Sequence, residues 1–140
     1  MEEVTFLGGL LFYLIITFYF LFKNDYDSFK ILIIGLFIIY IIAALIRMVY
    51  FKERPKKVSY ENFLEKIDAS SFPSIHAARI SFLFIFMITR VLDSYYWVFL
   101  GLILTILMLS SRIYLKKHYF IDIIGGTFLG LIISVILLAL

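Results

Sequence analysis

Five long apolar runs dominate this 140-residue chain, and they fix most of what it can fold into. They lie at about 4–22, 31–50, 74–91, 95–111 and 119–140. A helix that crosses the roughly 30 Å hydrocarbon core of a bilayer needs about 20 mostly apolar residues. In lipid the backbone must satisfy its own hydrogen bonds, so only helices or closed barrels can span. Barrel strands alternate apolar and polar residues, and these runs do not. The expected architecture is all-α: a polytopic transmembrane helical bundle of about five spanning helices, forming one membrane domain over 1–140. Hydrophobic residues make up 64% of the chain, against roughly 45–50% in a soluble domain. The excess must face lipid. The first run starts at Val4 behind Met-Glu-Glu rather than a basic stretch, and it is longer than a signal-peptide core. It reads as a spanning helix, so the chain is expected to be an integral protein of the cell membrane.

The connections between runs are unequal. Lys23–Lys30 and Leu92–Ser94 are short turns, Arg112–His118 is a short basic turn, and the polar loop 51–72 is the long one. Alternating spans place the long loop and the basic turn on the same side of the membrane. The chemistry therefore collects at one membrane face. The net charge of +3 comes from lysines and arginines in those two segments. That pattern suits an anionic headgroup; nucleic acid would call for a broad basic face. There is no cysteine, which excludes disulfides and thiolate metal sites.

Arg47, Arg54, Arg79 and Arg112 fall at or near helix ends on the active face, with Lys52, Lys116 and Lys117 beside them. Charges at such depths are expensive in lipid and face a cavity or a partner; the alternative is snorkelling to the headgroups. Pro73-Ser74 signals a helix start with Ser74 as N-cap. The free N–H groups of such an end make an anion site, and His76 sits in its first turn. His118 and Asp122 share a helix face at i, i+4. A carboxylate there can accept a proton from one imidazole nitrogen and leave the other free as a nucleophile. His76, His118 and Asp122 also add up to a two-histidine, one-carboxylate metal set. Charge separates the two readings. Converging arginines repel a divalent cation, whereas their planar forks match phosphate oxygens.

These residues resemble the signatures of the type-2 phosphatidic acid phosphatase superfamily, membrane lipid phosphate phosphatases related to vanadium haloperoxidases. The family carries Lys, six residues, then Arg-Pro; Pro-Ser-Gly-His; and Ser-Arg, five residues, His, three residues, Asp. Here SRIYLKKHYFID matches the third in full through Ser111, Arg112, His118 and Asp122. The second is present as PSIH, Pro73 to His76, and the first as RMVYFKERP, with Arg47 in place of Lys ahead of Arg54-Pro55. Ile75 stands where the family has a glycine that lets the backbone approach the phosphate, so its side chain must point away.

The resemblance implies a role for each residue. His118 would take the phosphoryl group as a phosphohistidine, with Asp122 orienting it. His76 would protonate the leaving lipid oxygen and then help activate water. Arg47, Arg54, Arg112, Ser74 and the first amides of the helix at Ile75 would hold the phosphoryl oxygens. No cofactor or metal is implied. The substrate would be a polyprenyl phosphate or diphosphate, or a phosphatidate-type lipid. The alternative is a membrane protein that binds or transports lipid phosphate without turnover, a reading Ile75 would favour. Membrane members of the family have six spanning helices against five runs here, which leaves room for a homo-oligomeric partner. Lysines and arginines on the active face argue for the cytoplasm under the positive-inside rule. Phosphate binding accounts for Arg47, Arg54 and Arg112, however, and family members commonly face outward, so an extracytoplasmic site is expected.

Overall fold

Every apolar run becomes a helix, and the side chains of Asp25 and Ser74 cap the starts of two of them. The computed structural model describes residues 6–140; Val4 and Thr5, the start of the expected first span, lie outside the described residues. After a short 3-10 turn at Phe6–Gly8 come α1 (Leu10–Phe22) and α2 (Tyr26–Val49). A short α3 (Phe63–Ala69) is followed by α4 (Ile75–Arg90), α5 (Tyr95–Tyr114) and α6 (Phe120–Ala139). There is no strand among the described residues, and the protein is an all-helical membrane bundle.

The boundaries depart from expectation where a cap was overlooked. The second span begins at Tyr26 rather than at 31, because the Asp25 side chain accepts from the Ser28 amide at 3.1 Å and starts the helix early. The long loop holds α3, capped by Asn62 onto the Glu65 amide at 2.9 Å. The Glu65 carboxylate accepts in turn from the Glu61 amide at 2.8 Å and from Asn62 Nδ2 at 2.7 Å, which steadies the same turn.

Three helices are long and apolar enough to cross a membrane: α2, α5 and α6. The other two expected spans are shorter. The 13 residues of α1 reach about 20 Å and the 16 of α4 about 24 Å. The α4 helix lies inside the bundle, half of its residues, Arg79 and Ser81 among them, being buried against neighbouring helices.

Lipid tails are as apolar as leucine, so burial alone gives helices little reason to associate in a membrane. Close approach has to do it. On α6, a Cβ added at Gly126 would fall on the Ser74 carbonyl oxygen, and one at Gly130 on the Ala78 carbonyl oxygen. The two glycines are four apart and face the Ala77–Ala78 edge of α4, so the backbones touch there. On the other flank of α4, the Phe82 ring lies over Gly35 of α2 and stacks on Tyr13 of α1, 6.4 Å between centroids. Tyr13 donates its hydroxyl proton to the Leu32 carbonyl at 2.8 Å, tying α1 to α2. Exposed Tyr95, Tyr96 and Trp97 begin α5, and exposed Tyr114, Tyr119 and Phe120 mark the other end of the bundle. Such rings anchor at the two headgroup levels.

Candidate active site

The α4–α6 seam sets the site. Ser74 caps α4, its side chain accepting from the Ala77 amide at 3.4 Å, and its own amide donates to the Asp122 carbonyl at 3.0 Å. The starts of α4 and α6 are thus side by side. His76, in the first turn of α4, and His118, just ahead of α6, line one cavity of about 340 Å³.

Around that cavity stand Arg47, Arg54, Arg79 and Arg112, with Lys117 as a fifth cation and Asp68 as the single carboxylate. Arg47 and Arg112 occupy the last turns of α2 and α5, where the negative end of the helix dipole favours a cation. Arg47 is pinned by two main-chain acceptors, Nη2 to the Pro73 carbonyl at 2.9 Å and Nη1 to the Ile67 carbonyl at 3.3 Å. Arg54 donates from Nη2 to the Asp68 carbonyl at 2.6 Å. The Nε of each of the four arginines is buried without a hydrogen-bond partner. Buried donors are nearly always satisfied, so these four Nε groups are an unusual cost carried by residues that line the cavity. Ile75 also lines the cavity, and its side chain packs against the hydrophobic core.

The surroundings of His118 differ from the simplest reading of the sequence. Its Nδ1 lies 2.8 Å from the Ser71 carbonyl oxygen. A carbonyl can only accept, so Nδ1 carries the proton and Nε2 keeps its lone pair. Asp122, expected to take that proton, has Oδ2 3.9 Å from Nδ1, beyond hydrogen-bond distance. Its oxygens are engaged elsewhere: Oδ1 with Lys52 Nζ at 2.5 Å, and Oδ2 with the Tyr119 amide at 2.8 Å as part of the α6 cap. Lys52 also holds Ser71 in place, its carbonyl accepting from the Ser71 amide at 2.8 Å. Asp122 therefore supports His118 at one remove, through Lys52 and the Ser71 backbone.

Burial pushes the His118 imidazole down to about 3, with Arg112 the next cause; the Ser71 carbonyl and Asp122 pull the other way. In the free protein it is a neutral base at neutral pH. Among the described residues, no group of three or more histidines, aspartates and glutamates comes together as a metal cradle.

The structure thus brings Arg47, Arg54, Ile75, His76, Arg112 and His118 to one cavity, with Ser74 capping the helix beneath it and Asp122 behind His118. Two contributors, Tyr40 and the Ser71 carbonyl, went unassigned in the sequence, and Arg79 was expected only to face a cavity or a partner. Arg79 and Tyr40 line the cavity floor; the signal was spacing, since Arg79 follows His76 by one turn and Tyr40 precedes Arg47 by two. The Ser71 carbonyl has no side-chain signature at all.

A family model described as the PAP2 superfamily matches residues 28–140. No curated protein and no solved structure gives a match. The matched region runs from Ser28 in α2 through α6 and takes in every residue placed at the cavity. The chain belongs to the PAP2 superfamily, membership of which implies phosphatase activity on lipid phosphates.

Proposed function

We propose that the cavity is the active site of an integral membrane phosphatase that cleaves the terminal phosphate of a lipid phosphate or diphosphate through a phosphohistidine on His118. One observation carries the reading. The guanidiniums of buried Arg47 and Arg112 and of half-buried Arg54 line one cavity with the imidazole whose Nδ1 is tied to the Ser71 carbonyl. Phosphoryl transfer depends chiefly on positioning and on charge stabilisation of the equatorial oxygens. The arginines supply that charge, so the reading is metal-independent.

The proposed steps use these groups in turn. The arginines hold the phosphoryl oxygens while His118 Nε2 attacks phosphorus and the bond to the lipid oxygen breaks. The bound phosphate offsets the surrounding positive charge, and an opposite charge nearby favours the protonated form of His76. His76 then delivers its proton to the leaving oxygen. Water attacks the phosphohistidine, His76 takes the proton back, and inorganic phosphate departs.

A lipid substrate is supported by an apolar groove of about 300 Å³ between α1, α4 and α5. It starts at Leu7 and Ile80, the residue after Arg79, and continues past Leu83 and Leu104 to Trp97. A polyprenyl chain or an acyl chain suits it. We place the catalytic face on the extracytoplasmic side, because phosphate binding rather than topology accounts for its arginines. The deciding experiment measures phosphate release from prenyl and glycerol lipid phosphates by purified protein, with and without chelator and vanadate. Turnover that survives excess chelator, stops with vanadate and vanishes in His118→Ala supports the reading; His118→Ala turning over like the parent removes it. Saturable lipid-phosphate binding by folded parent protein with no product would instead favour a binding or transport role.

A further inference from the structure

Arg79 has no part in the steps above, yet it is built into the same cavity. It lies one turn past His76 on α4, about 4.5 Å deeper along the axis, and is 3% exposed. Its Nη1 donates to the Tyr40 hydroxyl at 3.0 Å, and its guanidinium carbon sits 5.8 Å from the centre of that ring. Tyr40 is two turns deeper than Arg47 on α2, so the pair marks the inner end of the cavity. A guanidinium offers five donors; one hydroxyl and one ring face leave most of them unused, and Nε is a buried orphan. Charge at this depth calls for a partner.

Charge and size point the same way. The five cations lining the cavity against Asp68 leave a surplus of four positive charges with both histidines neutral. A phosphate monoester brings only about 1.5–2 negative charges, and a diphosphate roughly one more. A cavity of about 340 Å³ also has room for more than a single phosphate group.

We propose that Arg79, positioned by Tyr40, binds the inner phosphate of a lipid diphosphate, so that the preferred substrate is a diphosphate rather than a monophosphate. This rests on the phosphatase reading. The terminal phosphorus faces His118 among Arg47, Arg54 and Arg112. The inner phosphate lies against His76 and Arg79, on the way to the groove that begins at Ile80. Attack by His118 Nε2 forms the N–P bond and breaks the bond from the terminal phosphorus to the bridging oxygen. That oxygen leaves on the lipid monophosphate, and Arg79 stabilises the negative charge it gains. Water then releases the terminal phosphate from His118.

The test uses prenyl monophosphate and prenyl diphosphate with the same tail, together with the non-hydrolysable prenyl phosphonate and methylenediphosphonate. Phosphate release and binding are measured for the parent protein, Arg79→Gln, Arg79→Lys and Tyr40→Phe. The parent should favour the diphosphate and diphosphonate. Arg79→Gln should lower kcat/KM for the diphosphate by roughly 10–100-fold, the loss of a charged hydrogen-bonding partner, and change the monophosphate by less than about threefold. Arg79→Lys should restore part of the preference, and Tyr40→Phe should erode it. Equal binding of both phosphonates by the parent, or equal losses on both substrates in Arg79→Gln, would overturn the proposal. If Arg79→Gln does not fold, Tyr40→Phe decides, because it removes one oxygen and should still shift the ratio. Absence of turnover in the parent would remove the phosphatase reading, while the binding ratio would still test Arg79. Inorganic diphosphate competing as well as the lipid diphosphonate would show that the ligand is soluble and overturn the lipid part.

Discussion

His118 Nδ1 and the Ser71 carbonyl oxygen, 2.8 Å apart, fix which imidazole nitrogen faces the cavity. Because the acceptor is main chain, its position depends on the segment that carries it. That segment is clamped twice: the Ser71 amide on the Lys52 carbonyl at 2.8 Å, and the Ser71 hydroxyl on the Glu53 carbonyl at 3.2 Å.

Replacement of Ser71 by alanine keeps the carbonyl and the amide and removes only the hydroxyl contact. Ser71→Ala should retain activity within about tenfold, whereas His118→Ala should lose at least about a thousandfold. Initial rates of phosphate release compare them. A Ser71→Ala loss as large as that of His118→Ala would mean that the hydroxyl, not the carbonyl, orients the ring.

The acid limb of stability follows from His118. Its imidazole is pushed from an ordinary value near 6.5 down to about 3 by burial and then by Arg112. Between about pH 6.5 and pH 3 the unfolded chain binds a proton here that the folded chain does not. This contribution is therefore fully retained above that window and lost progressively as pH falls through it. His118→Asn should flatten the fall in thermal midpoint across the window, measured in detergent. Imidazole NMR shifts should show His118 neutral at pH 5 in the free protein and its titration moved upward by bound vanadate.

The Lys52–Asp122 pair is asymmetric. Asp122 is fully buried, whereas the Lys52 side chain is 22% exposed. Lys52→Met strands a buried carboxylate and should destabilise by about 3 kcal/mol, the lower end for a broken buried pair. Asp122→Asn still accepts from the Tyr119 amide and lets Lys52 turn to water, so it should cost less. Thermal or denaturant midpoints of the two variants give the order; the reverse order would contradict the arrangement.

Gly126 should tolerate nothing larger. A Cβ there meets the Ser74 carbonyl, a backbone atom at the start of α4. Gly126→Ala should destabilise by at least about 1–3 kcal/mol and lower activity by displacing His76 from His118. At Gly101 the nearest atoms belong to the Phe84 ring, at 3.0 and 3.3 Å. A ring can shift, so Gly101→Ala should be the milder change in both assays.

The legible part of the site was carried by charged side chains at helix ends. Arg47, Arg112, His76 and His118 stand out in an apolar sequence because a charge near lipid demands a reason. What stayed hidden depended on distance or on the backbone. Lys52 and Asp122 are 70 positions apart, and nothing local in either stretch marks the partnership. The Ser71 carbonyl could have been any main-chain oxygen. The early start of α2 and the existence of α3 were written in Asp25 and Asn62, caps inside segments that read as polar connections. The contact of Gly126 and Gly130 with α4 needed the facing helix to be known.

The depth of the Tyr40–Arg79 floor has a consequence for solvation. Tyr40 lies nine residues inside the end of α2 at Val49, about 14 Å along the axis. Arg79, buried and bonded to the Tyr40 hydroxyl at 3.0 Å, keeps a charge inside the bundle at a level where the outer helix faces meet hydrocarbon. The polar lining of the cavity reaches down to that level, so a headgroup-sized anion can sit below the membrane surface and still be solvated by protein.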